Sequence, residues 1–440
     1  MPQVEEWQYI LISDVVISTQ YIFGMVTFSY TYYLLLLRSI IVYKMTLTMK
    51  YINFNLFFVP LLVSLLISCS SPDIKLSYDF DHGSLGEMIE EEPGHFIGST
   101  LHWLKNDSVG DQYYWFYFQA DHVEDKTVTF ELSDLAGIYR GKQHIVYTDY
   151  TQPLYSYDQE SWERIRNVKY DSASSTFQFS EFFTSEPVWI AYAHPYPTSR
   201  LTTVIDGMKS SEFVQMEDLA ETGEGRSIKL VHITDFRIPG KDKKNVLILA
   251  LQHAGEDAGA YMAEGMINFL LSDDLEARKA REAFNYFIVP MMNPDGIYHG
   301  TSRYNMHMED LNNIWLSDEK AQAEVNGVKD WVETWYGDGN EIDLFIDIHN
   351  HSQFHRYNVM IFQNQDLDSL ATVMDKHWPV RLWHTEFKGS SNAWFFSKGI
   401  PNALIELSQS HLADGKYLEI EDYLSFGKGA VEALNEYFKE

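Results

Sequence analysis

The chain of 440 residues contains one cysteine, Cys69. No intrachain disulfide can form, and zinc sites built on cysteine are excluded, so any metal must be held by His and carboxylate. Positive charge is scarce as well. Lys and Arg number 33 against 63 Asp and Glu, a formal net charge of −30. A chain of that sign repels polyanions, which argues against nucleic acid and against electrostatic docking on anionic lipid. A cationic ligand is not excluded. No internal repeat or low-complexity tract stands out. Apolar residues are plentiful: 45% are hydrophobic and 15% aromatic, enough for a sizeable core in each of two or three domains.

Met49-Lys50 opens a short basic stretch, residues 57–67 are apolar, and Ser68-Cys69-Ser70-Ser71 closes the segment. It is short and ends in small residues, which marks an export signal rather than a membrane span. Leu66-Ile67-Ser68-Cys69 resembles a bacterial lipobox, with Cys69 where lipid is attached; the bland alternative is a buried structural cysteine. Three acyl chains on Cys69 would hold the mature protein on a membrane, whereas a single chain binds only marginally. Residues 1–48 are expected to be an over-extended start, with synthesis beginning at Met49. A first transmembrane helix in the apolar run 21–43, interrupted by Arg38, is the competing reading. The expected location is the periplasmic or cell-surface side of a bacterial membrane.

Four segments follow: 1–48, the signal 49–68, a β domain over 69–192 and an α/β domain over 193–440. In the β domain, Tyr113 to Ala120 is dense in aromatics, and Thr127-Val128-Thr129-Phe130-Glu131-Leu132 alternates with period two. Residues 144–147 and 187–192 continue the pattern, and no helix of convincing length intervenes. An antiparallel β-sandwich is expected. Its aromatics read as core, with a sugar- or peptide-binding face the minority reading.

Beyond Tyr192, strand and helix patterns alternate, as in an α/β fold with a twisted sheet flanked by helices. Residues 245–251 read as a buried strand that meets His253-Ala254-Gly255-Glu256 at its end. Open α/β sheets place ligands at the carboxyl ends of strands. His-x-x-Glu in a turn can put an imidazole and a carboxylate on one metal ion, but the pair alone is weak evidence. Residues 257–271 read as a helix with an apolar face at Tyr261, Met262, Met266 and Leu270. Residues 287–292 read as a strand closed by Asn293-Pro294-Asp295-Gly296. Residues 325–335 and 427–438 read as helices. Asp347-Ile348-His349-Asn350-His351 ends another strand, and Ala403-Leu404-Ile405-Glu406-Leu407 carries a carboxylate inside an apolar run. Such a carboxylate is costly to bury unless it is paired or used, and burial raises its pKa toward the range of a general base. A structural ion pair is the alternative for Glu406.

His253-Ala254-Gly255-Glu256, Arg303 ahead of Asp310-Leu311-Asn312, Asp347-Ile348-His349-Asn350-His351-Ser352 and Glu406 occur in the order of the carboxypeptidase A-like zinc metallopeptidases. The likeness is closest to the cytosolic-carboxypeptidase-like branch, in which a β-sandwich comes first. It implies a zinc-dependent hydrolase of peptide or amide bonds holding one Zn²⁺ on His253, Glu256 and His349. It further implies Glu406 as general base, Arg303 on the carbonyl oxygen, Asp310 as the carboxylate orienting the first His, and Asn312 on a substrate carboxylate. His351 and His355 compete with His349 on residue type alone; the resemblance selects His349. Trp315 and Trp394 read as packing.

Two positions depart from the family. Asn313 stands where an Arg grips the substrate's free carboxylate, and no Tyr lies between Tyr357 and Tyr417, where the family has a mobile one. A neutral amide does not replace a bidentate guanidinium. Lys388, Arg381, Arg356 and His384 are the candidate substitutes. The expected partner is a peptide or peptide-like substrate whose recognised end differs from that of standard carboxypeptidases. The competing functions are a zinc amidohydrolase or deacylase on the same scaffold and a catalytically silent surface-binding protein.

Overall fold

The computed structural model describes residues 72–101, 114–135, 137–139, 142–144, 146–317, 322–351 and 356–439, with short backbone strands between residues 8 and 26. The chain divides into two units, Met1–Ser71 and Pro72–Glu440. In the first, Gln8–Ile12 pairs with Val15–Thr19 and Tyr21–Ile22 with Met25–Val26. The apolar run 21–43 therefore opens extended rather than helical. Its remainder, the segment 49–68 and Cys69 lie outside the described residues, as do Ser352 and His355. Among the described residues no helix is long and apolar enough to cross a membrane.

The second unit begins with two five-stranded sheets. One runs Glu163–Arg164, Leu154–Ser156, Val188–Ala191, Tyr117–Asp121, Lys75–Ser77; the other runs Asn167–Asp171, Thr176–Phe183, Lys126–Leu132, His95–Gly98, Met88–Glu92. The pairing is antiparallel except between His95–Gly98 and Lys126–Leu132, which run parallel. Period-two alternation puts Val128, Phe130 and Leu132 inward, where they join Phe116, Phe118, Phe177 and Phe179 in a buried aromatic core. Phe116 and Phe179 stack 5.6 Å apart, and Phe118 meets Phe130 edge-on at 5.1 Å.

The α/β part is an eight-stranded sheet: β1 (Val214–Glu221), β2 (Ser227–Ile233), β3 (Lys244–Ala250), β4 (Phe284–Val289), β5 (Leu344–Asn350), β6 (Val359–Phe362), β7 (Arg381–His384) and β8 (Asn402–Leu407). The spatial order is β1-β2-β4-β3-β5-β8-β6-β7. The four central strands, β4-β3-β5-β8, are parallel to one another. Helices α1 (Thr198–Met208), α2 (Asp257–Leu271), α3 (Leu275–Ala283), α4 (Pro294–Tyr298), α5 (Ala323–Gly337), α6 (Asp368–His377), α7 (Ser391–Ser397) and α8 (Ile420–Tyr437) complete it.

Strands buried on both faces read as continuous apolar runs, and β3 and β4 do so. Val246, Ile248 and Ala250 of β3 enter the core under α2 and α8, while Leu247 and Leu249 join the opposite core with Val325, Val328, Trp394 and Phe395. Helices α2 and α8 cross at glycines. A Cβ on Gly265 would lie 2.1 Å from the Leu424 carbonyl oxygen, and one on Gly427 2.1 Å from that of Met262. Only glycine allows backbones this close.

The two halves meet at charged and aromatic contacts. Asp81 accepts hydrogen bonds from the start of α1 at Thr198 and Ser199. Arg164 pairs with Glu419 across the join at 3.0 Å, and His194, just after the join, meets the same carboxylate at 3.1 Å. His411 is stacked between Tyr150 and Tyr417, at 5.4 and 5.3 Å. Arg356 lies over the ring of Tyr150 and Arg164 over that of Tyr417.

Candidate active site

The chain reverses between β3 and its two neighbours, β4 on one side and β5 on the other. That is a topological switch point, where open α/β sheets leave a crevice at the carboxyl ends of their strands. Three chemically distinctive stretches meet there. After β3, Leu251 takes a left-handed φ of 55° and the chain turns through Gln252 and His253. Glu256 then occupies the N-cap position of α2, with no side-chain capping bond, where the helix dipole favours a carboxylate. Gly255 has no room for a side chain: a Cβ would lie 2.8 Å from the Ser302 carbonyl oxygen and 3.0 Å from the Tyr114 hydroxyl. His349 is the next-to-last residue of β5, and Glu406 sits directly opposite it in the β5–β8 ladder.

The side chains of His253, Glu256 and His349 converge. Each offers one ligand atom, and these lie within 4.8 Å of one another, all buried. His253 Nδ1 is 2.8 Å from Glu256 Oε1, His349 Nδ1 is 2.7 Å from Glu256 Oε2, and the two Nδ1 atoms are 3.1 Å apart. Tetrahedral zinc with ligands at 2.0–2.2 Å spaces its donors about 3.4 Å apart, so a small opening of the cluster receives the ion. Two facing imidazole nitrogens beside a carboxylate also need positive charge between them. The residues fit one zinc ion.

Carboxylates hold the far sides of both rings. His253 Nε2 is 3.1 Å from Asp310 Oδ1, and His349 Nε2 is 3.1 Å from Asp347 Oδ2. A carboxylate beside Nε2 draws the proton to that nitrogen and leaves Nδ1 for a metal; Asn312 Nδ2 also lies 3.1 Å from His349 Nε2. Burial alone would raise the Glu256 carboxyl; the His253 and His349 rings more than offset it and hold it well below the usual carboxylate range. Asp310 is likewise held low against its burial, by Arg303 and His253. Burial disfavours the charged form of His349, but Asp347 and Glu256 outweigh it and raise that imidazole well above its ordinary value. Glu406 lies at the rim, 21% exposed, with His351 Nδ1 at 3.8 Å. Burial, opposed by the charges of His349, His253 and Arg303, pushes its carboxyl up to about 7.

Arg303 donates from Nε to Asp310 Oδ2 at 2.7 Å, and its Nη1 is 3.9 Å from Glu256 Oε1. The expected residues His253, Glu256, His349, Asp310, Arg303 and Glu406 are thus brought together. Asn312 and Asn313 are close but engaged within the protein. Asn312 Oδ1 accepts from the Ser391 N–H at 3.0 Å, and Asn313 Nδ2 donates to Asp310 Oδ2 at 2.6 Å. The candidate substitutes for the missing Arg are held elsewhere. Lys388 pairs with Glu386 at 3.0 Å and His384 with Asp368 at 2.8 Å, while Arg381 lies over Tyr357 and Arg356 over Tyr150.

The motifs assign no role to Asp347, Gln252 or Ser391. Asp347 Oδ2 accepts from Gln252 Nε2 at 2.7 Å and from the Ser391 hydroxyl. Trp315, expected only to pack, also donates its indole N–H to Gln252 Oε1 at 2.8 Å. A signal for Asp347 was available, because residues two apart on a strand share a face and Asp347 precedes His349 by two.

Residues 202–379 match the Zinc carboxypeptidase family, and residues 76–193 match the Cytosolic carboxypeptidase N-terminal domain. The chain therefore carries a zinc carboxypeptidase domain behind a cytosolic carboxypeptidase N-terminal domain. It is 28% identical over 297 residues to cytosolic carboxypeptidase 6 of Mus musculus, covering 63% of this chain and 53% of that protein. It is 27% identical over 323 residues to cytosolic carboxypeptidase 6 of Caenorhabditis elegans, covering 69% and 67%. The chain thus spans between about half and two thirds of the length of these relatives. The metallo-carboxypeptidase structure from Burkholderia cenocepacia shares the fold, with a TM-score of 0.71 at 20% identity, covering 84% of this chain and 99% of that one.

Proposed function

We propose that the chain is a zinc-dependent, metallocarboxypeptidase-like hydrolase of peptide or amide bonds. One observation carries the reading: His253, Glu256 and His349 gather their donor atoms within 4.8 Å, and Glu406 faces His349 in the adjoining strand. Zinc held there supplies a Lewis acid to the scissile carbonyl and the attacking water. Asp310 and Asp347 keep the two imidazoles in the tautomer that presents Nδ1. Glu406 takes the proton that water loses as it adds to the carbonyl carbon, then returns it to the leaving nitrogen as the C–N bond breaks. Arg303 faces the developing negative oxygen with a guanidinium already fixed by Asp310. Glu406→Gln is expected to lower kcat by a factor of about 10²–10⁴ with zinc content unchanged. Full activity in that variant would remove Glu406 from the chemistry.

The substrate end is proposed to differ from a free terminal carboxylate gripped by Arg. Asn313 is bound to Asp310, and Arg381, Arg356, His384 and Lys388 each contact another group, the Lys388–Glu386 pair being exposed and weak. Cell-wall or side-chain-linked peptides fit such a site. Asn313→Arg, assayed on matched peptides with free and amidated ends, is expected to shift preference toward the free carboxylate. A wild type that strictly requires a free carboxylate, with the variant unchanged, would refute this.

We also infer that the protein is exported and anchored through lipid on Cys69, from the order of basic, apolar and small residues over 49–71. Labelled palmitate should enter the wild type and not Cys69→Ser; equal labelling of both would end the idea.

A further inference from the structure

Among the described residues, the sandwich domain meets the active site at Ser302, which precedes Arg303. Ser302 is buried, 4% exposed. Its Oγ accepts two backbone hydrogen bonds from the sandwich, from the Tyr114 N–H at 2.9 Å and the Trp115 N–H at 3.0 Å. Its carbonyl accepts the Gly255 N–H at 3.0 Å and the Tyr114 hydroxyl at 3.2 Å. Gly255 lies between the ligands His253 and Glu256. The sandwich edge is itself fixed: Trp115 Nε1 donates to the His82 carbonyl at 3.1 Å, and its ring stacks on the His82 imidazole at 4.3 Å. His82 Nε2 in turn meets Asp257, the first residue of α2, at 3.1 Å.

We infer that Ser302 is a positioning residue, through whose hydroxyl the N-terminal sandwich sets the place of the Arg303 guanidinium. The inference rests on the proposed role of Arg303. Two buried N–H groups aimed at one oxygen make the hydroxyl the acceptor on which the backbone of the sandwich edge is fixed to this residue. Its loss leaves both donors without their acceptor, which a buried backbone does not tolerate without moving. The carbonyl bonds to Gly255 and Tyr114 survive an alanine, so the metal loop keeps its support. The effect should therefore fall on Arg303 and not on zinc binding.

The zinc-loaded full chain is compared as wild type, Ser302→Ala, Ser302→Thr, Arg303→Ala and the Ser302→Ala/Arg303→Ala double variant. The probe is the fastest-cut member of the free and amidated peptide panel, and zinc affinity is measured separately by chelator competition. Ser302→Ala should lower kcat about tenfold, with KM and the zinc Kd within twofold, and Ser302→Thr should restore most of it. On the Arg303→Ala background, removing the hydroxyl should change kcat/KM less than twofold, because the two residues act as one. Equal losses on both backgrounds, or a tenfold weaker zinc Kd, would overturn the inference. So would a normal kcat in Ser302→Ala beside a slow Arg303→Ala, which leaves the role of Arg303 standing. A normal kcat in Arg303→Ala would sink that role and the inference with it. Should Ser302→Ala fail to fold, Ser302→Cys keeps the volume with a weak acceptor and is read in the same way.

Discussion

Replacing Asp347 by Asn tests how far zinc affinity depends on groups that never touch the metal. Asp347 is fully buried and receives three donors at Oδ2: His349 Nε2, Gln252 Nε2 and the Ser391 hydroxyl. Its Oδ1 has no hydrogen-bond partner among the described residues. An amide with its oxygen at the Oδ2 position still accepts all three bonds but loses the negative charge. Its NH₂ then occupies the Oδ1 position, a buried donor facing nothing. Partners of metal-bound imidazoles are worth roughly 10–100-fold in metal affinity, or about 1.4–2.7 kcal/mol. One effect opposes this loss. Asp347 raises the pKa of His349 in the metal-free chain, so a proton competes with zinc for Nδ1. The Asn variant weakens that competitor too, and the deficit should grow as pH rises and the proton leaves the wild type. The assay is chelator competition for zinc at two pH values, one near 6.5 and one near 8.5. A Kd within twofold of wild type at the higher pH would refute the reasoning.

Two further outcomes follow from the same geometry. Zinc binding should release close to one proton below the raised pKa of His349, so zinc affinity falls about tenfold for each unit of pH below that value; titrations in buffers of differing ionisation enthalpy measure it. The sign for stability is the reverse. The raised imidazole stabilises the metal-free fold fully below the unfolded value of about 6.5, and that contribution is lost as pH rises through the folded value. Gly265→Ala should destabilise the α/β half by about 1–3 kcal/mol or more, because its Cβ meets the Leu424 backbone at 2.1 Å. A denaturant midpoint equal to the wild type would show that α2 and α8 are free to separate.

Much of this was legible before any coordinates, for reasons that differ by element. Residues 257–271 follow a polar turn with apolar residues at helical spacing, and α2 spans Asp257–Leu271. The apolar run 287–292 predicts a strand there, but β4 is Phe284–Val289. The run outlasts the ladder, because Met292 and Asn293 bond instead to Ala250 and Leu251 at the irregular end of β3. Residues 427–438 predict only the second half of α8, which starts at Ile420 behind a Glu419–Asp422 capping box. The proposed zinc triad was readable because its members carry distinctive chemistry in a fixed order. Gln252, Ser302 and Ser391 were not. Each is an ordinary polar residue whose importance comes from a neighbour 44 to 188 positions away in sequence. Asn313 was visible as a departure, but its bond to Asp310 is a fact of three dimensions.

The pairing of His349 with Glu406 has a consequence for how this scaffold tolerates change. Adjacent strands are held about 4.8 Å apart by their peptide groups whatever side chains they carry. The gap between the proposed metal ligand His349 and the proposed proton carrier Glu406 is therefore dictated by main-chain geometry and needs no loop to close. Loops other than the His253–Glu256 turn and the segment from Arg303 to Asp310 can change in sequence while the His349–Glu406 spacing stays set by the sheet.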